Sequence, residues 1–455
     1  MRVNCNISAI IANNQLSKGQ KALDKSIERL SSGYRINHAE DDAAGMAISN
    51  RMHTQIKALE RAKNNSNDGV YVVQTAEGAL SEVHNMLQRA RELAVQAADA
   101  TYSDEDRAAI QKEVEQILAE VDRVAETTEY NTMPLLDGTL GRRSYSDTEG
   151  VGVLKVNEGV SAGEYELTVT KKATKAVAGI TEFSGTVPTG VKGSMSINGS
   201  IVKVGEGDDW DTVYERIVNA CNSAGVDYQA GGILVNKYYG SKEELSIDFS
   251  NEEVANLFGY GASLHNITAG QDCEIGLDAG FRNTATVSYD GKIATITDIN
   301  NFKMVVEIDD DANVGDLAKL DVTDIGVMTL QIGANEGQVL DLDIPKLGTH
   351  ILGIDDLRVG STVTAGRAIE KLDAAISQVS ADRARLGAYQ NRLESTVESL
   401  SDYKLNMDSA LSGIEDCDMA EEMTNYTAKN VLTQASTSVL AQANERPQTV
   451  LQLLQ

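Results

Sequence analysis

The sequence predicts a mainly α-helical fold, with a long coiled-coil-like helical rod built from the N- and C-terminal segments and an inserted α+β outer domain. Two patterns predict it. Towards both ends of the chain, apolar residues recur at alternating gaps of three and four, as they do in heptad helices. From about residue 141 this changes to the two-residue alternation typical of half-buried strands.

The most regular helical stretch covers residues 366–414, where eleven of fourteen seam positions are apolar and no proline intervenes. At 1.5 Å per residue such a helix runs about 70 Å, so it needs long partners. Arg383, Gln390 and Lys404 are the polar seam residues; such residues can fix the register of packed helices, and in an assembly neighbouring copies of the chain can supply partners that the monomer lacks. The seam consists of Ile369, Leu372, Ile376, Val379, Arg383, Leu386, Gln390, Leu393, Val397, Leu400, Lys404, Met407, Leu411 and Ile414.

Partner helices are predicted in the N-terminal third. Residues 73–97 and 110–124 repeat the same spacing on either side of a break at 101–104, with Asp104 starting the second helix. The acids in the turn 37–42 suit the start of the first. Together with residues 366–414, these helices would form the rod.

Both ends of the chain carry weaker apolar stripes, which seldom hold a helix alone. We expect them to complete the core by self-assembly; the alternative is that the two ends cover each other within a monomer. The polymerisation residues predicted on these stripes are Ile7, Ile10, Ile11, Leu23, Ile27, Leu30, Val439, Leu440, Val450, Leu451 and Leu454.

The middle of the chain contains predicted strands at 151–156, 164–170 and 231–236, and a helix at 210–221 capped by Asp208 and Asp209. Hairpins are predicted around Asn198-Gly199 and Asp290-Gly291, with a last one at 330–344. We predict six segments with one core in the insertion. They are an inner-core helix 1–42, rod helices 43–140, the outer domain 141–325, a rod hairpin 326–362, the long rod helix 363–415 and an inner-core helix 416–455.

Composition excludes several classes of protein. The net charge is −28, which argues against nucleic-acid binding because phosphates need Lys and Arg. Residues 141–325 carry fifteen Lys and Arg against twenty-nine Asp and Glu, a balance of −14, as expected for a solvated outer face. We expect no membrane span and no cleaved signal peptide. The four separated cysteines, Cys5, Cys221, Cys273 and Cys417, are expected to be free thiols, with disulfides left open.

No motif predicts an enzyme, a metal site or a cofactor site. The five histidines share no ligand spacing, and neither HExxH, GxSxG, Walker A nor GxGxxG occurs. Residues 307–311 hold four acids but lack the spaced ligands of an EF-hand loop, so a solvated acidic turn is favoured. The protein is expected to act through its surfaces.

Several long motifs resemble those of the bacterial flagellins. The N-terminal ones are LSSGYRIN at 30–37, DDAAGMAI at 41–48, NDG at 67–69, QTAEGAL at 74–80 and LQRARELAVQ at 87–96. The C-terminal ones are LGAYQNRL at 386–393 and SVLAQAN at 438–444. Within the insertion, residues 196–226 resemble the hairpin-helix repeat of flagellin outer domains. LQIGANEGQ at 330–338 is similar to a strand that directly follows the N-terminal helices in short flagellins, but here it follows the insertion.

The resemblance implies a structural subunit that is exported unfolded by the flagellar type III apparatus and polymerises under a cap into an extracellular helical filament for swimming. It also implies an export chaperone that binds the C-terminus, and contacts with filament cap and hook-junction proteins. The alternative within the same group is a hook-filament junction protein. A flagellin that carries an enzyme is the alternative of another class.

Family members are often recognised by a Toll-like receptor of the host. The matching positions here are Gln88, Arg89, Leu93, Gln96 and Glu113. Leu87, Ala90 and Ala94 lie on the packed seam, so we expect Arg89, Leu93 and Gln96 to lie off it. Residues 408–417 depart from the Arg-rich version common in strong activators, which leaves signalling after binding open.

Overall fold

The computed structural model describes residues 6–157, 159–299, 302–323 and 325–453, with backbone only at 447, 448 and 450–453. The chain divides into two compact units. The first contains Met1–Asn67, Gln331–Val339 and Glu394–Gln455, and the second contains Asp68–Leu330 and Leu340–Leu393.

Long helices occupy both terminal regions, and two short helices lie in the β-rich middle. The helices are α1 Ile7–Ser32, α2 Ala43–Ala98, α3 Asp104–Thr127, α4 Trp210–Ala224, α5 Glu252–Leu257, α6 Thr362–Glu415 and α7 Met419–Leu453. The predicted rod helices therefore correspond to α2, α3 and α6.

Local sequence signals explain where the helices begin and end. Gly33, in the left-handed region at φ 77°, ends α1 by donating its N–H to Arg29. Asp42 accepts a hydrogen bond from the N–H of Gly45 at 2.9 Å in the first turn of α2. Ser103 starts α3 with a capping box that it shares with Asp106.

The predicted seam of α6 is confirmed, since all fourteen of its positions are buried or half-buried. Two of the polar seam residues have partners in the same chain. Arg383 pairs with Glu77 at 2.7 Å, and Lys404 pairs with Glu60 at 3.5 Å. Neither cation needs a partner from a neighbouring copy, because α2 carries an acid opposite each one.

The strands form six sheets whose orders are β1-β2, β6-β10-β9, β12-β11-β7-β8, β13-β5-β17-β3, β14-β15-β16-β4 and β18-β19. All strand pairs are antiparallel where a register is given. The strands are β1 Glu129–Tyr130, β2 Met133–Pro134, β3 Arg143–Ser146, β4 Val151–Val156, β5 Gly163–Lys171, β6 Lys175–Gly179, β7 Gly193–Ile197, β8 Ser200–Val204, β9 Val226–Gln229, β10 Ile233–Tyr239, β11 Glu244–Phe249, β12 His265–Ala269, β13 Glu274–Leu277, β14 Thr286–Asp290, β15 Ile293–Asp298, β16 Phe302–Ile308, β17 Leu317–Thr323, β18 Met328–Gln331 and β19 Val339–Leu342.

The insertion has two hydrophobic cores, so the expectation of one core is wrong. One core contains Leu167 and Ile296 and draws on β4, β5 and β13–β17. The other contains Ile217 and Phe258 and draws on β6–β11 with α4 and α5. The chain leaves the first core after β5 and returns to it at β13, so the second core is an insertion within the first.

The predicted turn at Asn198-Gly199 is confirmed. Ile197 pairs with Ser200, and Asn198 and Gly199 have φ of 45° and 85°, as a type I′ turn requires. The Ser361 hydroxyl donates to the carbonyl oxygen of Asn198 at 2.6 Å, so this turn contacts the residue that precedes α6.

Two other turn details differ from expectation. The second predicted hairpin turns at Gly291 and Lys292, because Asp290 still pairs with Ile293. Asp209 precedes α4 but makes no side-chain cap. Asp208 instead accepts from the N–H of Gly205 at 2.7 Å.

The cysteines within the described residues are free thiols, as expected. Cys221 and Cys273 are buried, and burial raises the pKa of each thiol to about 12. Both therefore pack as small hydrophobic side chains. Cys5 lies outside the described residues.

Candidate assembly and recognition surfaces

Helices α1 and α7 pack against each other in the first unit, yet few of their residues are buried. Among the side chains that the structure describes, the buried ones are Ala12 and Ser26 of α1 and Glu422 and Ala443 of α7. Near the start of α1, the Asn6 side chain accepts from Ala9 N–H and donates to the Ala443 carbonyl oxygen at 2.8 Å. Apolar burial alone therefore does little to hold this pair together.

A buried polar cluster fixes how α1 and α7 align. Ser26 is fully buried and its hydroxyl donates to the carboxylate of Glu422, which is 5% exposed. Arg29 lies 3.8 Å and Lys429 lies 3.7 Å from that carboxylate. Because a buried polar pair is satisfied in one register only, this cluster sets the register of the two helices.

The spacing of the apolar stripes gives a signal for this cluster, which the sequence-based predictions did not include. Ser26 lies three residues after Leu23 and four before Leu30, and Glu422 lies three after Met419 and four before Tyr426. Both polar residues therefore occupy positions of the apolar stripe.

Of the eight predicted polymerisation residues whose side chains the structure describes, five are exposed. Ile11 is 57% exposed and Ile27 is 47% exposed, whereas Leu23, Leu30 and Leu440 are half-buried. Leu454 and the side chains of Val450 and Leu451 lie outside the described residues. The other exposed apolar residues of α1 and α7 are Ile7, Ile10, Met419, Met423, Val431, Leu432 and Val439.

The segment after α1 is tied to the end of α6 within the first unit. Arg35 N–H donates to the Glu415 carbonyl oxygen at 2.7 Å, and Cys417 N–H donates to that of Gly33 at 2.9 Å. The Glu415 carboxylate accepts from Ser49 at 2.9 Å and lies 2.8 Å from His53 Nε2. The ends of α1 and α6 are therefore held by backbone and side-chain bonds together.

Lys25 of α1 and Asp41 form an ion pair that holds the segment between α1 and α2. Lys25 Nζ lies 3.0 Å from Asp41 Oδ1. The hydrogen bond from Lys25, followed by those from the backbone N–H groups of His38 and Asn37, lowers the pKa of the Asp41 carboxyl. Asp41 is therefore ionised at neutral pH.

The predicted receptor-binding residues lie on α2 and α3 of the second unit. Gln88, Arg89, Gln96 and Glu113 are exposed. Arg89 forms an ion pair with Glu113 at 2.8 Å. On a helix with 3.6 residues per turn, positions 88, 89 and 96 fall on one face, so the structure brings these four side chains to one side of the helix pair.

Leu93 differs from the other four residues because it is only 2% exposed. The expectation that it lies off the packed surface is wrong. It follows Arg89 by one helical turn, and Arg89 contacts α3, so Leu93 lies on the side of α2 that α3 covers. Arg91, on the opposite side, pairs with Asp373 of α6, and α2 is therefore covered on two sides.

The acidic turn at 309–311 is exposed and partly neutralised by lysine. Lys292 lies 3.0 Å from Asp309 and 3.4 Å from Asp310. Within the described residues, no three His, Cys, Asp or Glu side chains are arranged to hold a metal ion. In the same part of the chain, each helix is too short or too polar to cross a membrane.

Among solved structures, flagellar hook associated protein-3 from Legionella pneumophila aligns with 80% of this chain and 98% of its own. The sequence identity is 14% and the TM-score is 0.33.

Sequence comparison covers the whole chain. The flagellin of Salmonella typhimurium is 35% identical over 99% of this chain and 99% of its own length. The flagellin of Clostridium tyrobutyricum is 32% identical over 98% and 100%, and polar flagellin B/D of Vibrio parahaemolyticus is 30% identical over 100% and 99%. The bacterial flagellin N-terminal helical region matches residues 3–140 and the C-terminal helical region matches residues 369–454. The chain therefore belongs to the bacterial flagellins, the structural subunits of the flagellar filament.

Proposed function

We propose that copies of this flagellin assemble by burying the exposed apolar faces of α1 and α7 against neighbouring copies. The observation that carries the proposal is the exposure of Ile7, Ile10, Ile11, Val431 and Leu432, which are 51–64% exposed. A free subunit leaves this apolar surface in water. Burying a fully exposed isoleucine contributes about 1.5–3 kcal/mol; the part of each side chain that is still exposed here contributes correspondingly less, and the gain repeats for each copy that is added.

In the proposed filament, each predicted segment has its own position. Segments 1–42 and 416–455 form the inner wall, the rod segments 43–140, 326–362 and 363–415 surround it as a coiled coil, and the α+β domain 141–325 faces solvent. The acidity of the middle segment, a balance of −14, supports its place in solvent.

Export is part of the same proposal. The subunit passes unfolded through the flagellar type III apparatus, with a chaperone on its C-terminal segment, and is added beneath the cap on a filament that begins at the hook junction. The few buried residues between α1 and α7 support this, because such a pair costs little to separate. We favour the filament over the hook-filament junction because the compared relatives that match the full chain are flagellins.

Seeded elongation tests the assembly surface. Ile11→Asp should raise the critical concentration for growth at least about tenfold, because the filament would bury an unpaired carboxylate. Val314→Asp is the matched control, since Val314 of the second unit is 59% exposed and Ile11 is 57% exposed. Both variants should fold normally by circular dichroism, and deletion of residues 1–32 should abolish growth. An Ile11→Asp protein that elongates seeds like the wild type would refute the proposed surface.

We also propose that Gln88, Arg89, Leu93, Gln96 and Glu113 bind a flagellin-sensing Toll-like receptor. Gln88, Arg89, Gln96 and Glu113 form an exposed polar face and supply direct contacts. Leu93, which is 2% exposed, supports that face from beneath by packing. Arginine is among the residues enriched at interface hot spots.

Surface plasmon resonance with the receptor ectodomain tests this face. Arg89→Asp should weaken the affinity by about tenfold or more, since it reverses a charge at the centre of the face. Arg123→Asp is the control, because Arg123 is also an exposed arginine paired with a nearby glutamate, Glu120. Equal affinities of the two variants would mean that this part of α2 serves packing alone.

A further inference from the structure

A groove of about 710 Å³ lies beside β8, the edge strand of its sheet, and is closed on one side by α4. Ile201 and Lys203 of β8 and Arg216 and Asn219 of α4 line it. This volume lies within the range of about 300–1,000 Å³ that is usual for small-molecule sites. Its lining is more polar than that of most such sites, which favours a ligand rich in hydrogen-bonding groups.

Three cations and two carboxylates face the groove. The cations are Lys192, Lys203 and Arg216, and the carboxylates are Asp104 and Asp208. Among the described residues, neither Lys192 nor Lys203 has an ion-pair partner, whereas Arg216 pairs with Asp208 at 2.7 Å. The excess of one positive charge lies in a segment whose own balance is −14.

The ionised state of Asp208 restricts the charge of the ligand. Hydrogen bonds from Gly205 N–H and then from Arg216 lower the pKa of its carboxyl, so it is charged at neutral pH. A ligand with several negative charges would be repelled by Asp208 and Asp104. A ligand with one negative charge and several hydroxyls can pair with a lysine and donate to these carboxylates.

We propose that this groove binds an acidic sugar, a saccharide that carries one carboxylate. Lys203 and Lys192 hold the carboxylate, Asp208 and Asp104 accept from ring hydroxyls, and Asn219 completes the polar contacts. Ile201, which is 60% exposed, covers the apolar face of the ring. The site gives the flagellin a binding activity separate from assembly.

Isothermal titration calorimetry of the full-length monomer at low salt tests the site. D-Glucuronate or N-acetylneuraminate should bind at least tenfold more tightly than D-glucose, which lacks the charge, and than inorganic phosphate, which lacks the ring. The acid that binds more tightly identifies the natural source of the ligand: uronate polysaccharides for D-glucuronate, and sialylated glycans for N-acetylneuraminate. Equal binding of glucose or phosphate, or no binding of either acid, would overturn the proposal.

Variants locate the binding in the groove. Lys203→Gln should weaken binding of the acidic sugar about tenfold while the fold is kept, because Lys203 is exposed. Lys242→Gln is the matched control, an exposed lysine outside the groove. If Lys203→Gln binds as tightly as Lys242→Gln, the groove is not the site.

Discussion

Lys155 and Asp382 form an enclosed ion pair between β4 and α6. The two groups lie 2.9 Å apart, with side chains 11% and 10% exposed. Burial lowers the pKa of the Lys155 ammonium, and Asp382 opposes that shift. Arg385 also contacts Asp382, at 3.4 Å, and pairs with Asp343 at 3.3 Å. The β-rich region is thus joined to the long helix by an ion-pair network in which each buried charge is balanced by its neighbours.

Removing one partner of this pair should destabilise the protein. We expect Lys155→Met to lower the free energy of unfolding by about 3 kcal/mol, because Asp382 stays buried with Arg385 alone. The double variant Lys155→Met with Asp382→Leu should lose much less than the two single losses combined. Urea unfolding of the four proteins measures this coupling, and additive losses would show that the pair is not coupled.

At the scale of single elements, the sequence was most informative where a local signal decides the structure. The predicted start of α3 at Asp104 and the predicted tight turn at Asn198-Gly199 are both observed. The seam of α6 was predictable because helical spacing alone places those residues on one side.

Features that depend on distant partners were not predictable in this way. The order β13-β5-β17-β3 joins strands from both ends of the insertion, and no local pattern records it. The burial of Leu93 depends on how α3 covers α2, and the pairing of Arg383 with Glu77 depends on the alignment of two helices. Each of these is set by packing between elements rather than by spacing within one.

The capping box of α3 gives a test at this scale. We expect Ser103→Ala to lower the free energy of unfolding of the second unit by about 1 kcal/mol, because the N–H of Asp106 loses its acceptor. Ser103→Thr keeps that acceptor and is the control. Thermal unfolding followed by circular dichroism measures both, and an alanine variant as stable as the threonine variant would mean that solvent replaces the cap.

The same box has a pH dependence of known sign. The Ser103 hydroxyl and backbone lower the pKa of the Asp106 carboxyl. Its folded pKa therefore lies below the unfolded value of about 3.9, so its stabilising effect is full above that value and is lost as the pH falls through the folded pKa.

At the scale of the whole molecule, exposed apolar residues and acidic residues are concentrated in different parts of the chain. The terminal helices carry exposed apolar residues, and the middle carries the acidic balance of −14 and two cores of its own. The middle can therefore vary in charge and ligand without disturbing the residues proposed for assembly.

Within the described residues of α1 and α7, only four are buried, so the proposed assembly covers mainly apolar surface and depends on temperature. A contact made mainly of newly covered apolar surface has a large negative heat-capacity change and weakens on cooling. We expect the concentration of free subunit in equilibrium with filaments to be higher near freezing than at room temperature, as sedimentation after dilution would measure. A lower free concentration in the cold would assign the driving force to hydrogen bonds and ion pairs instead.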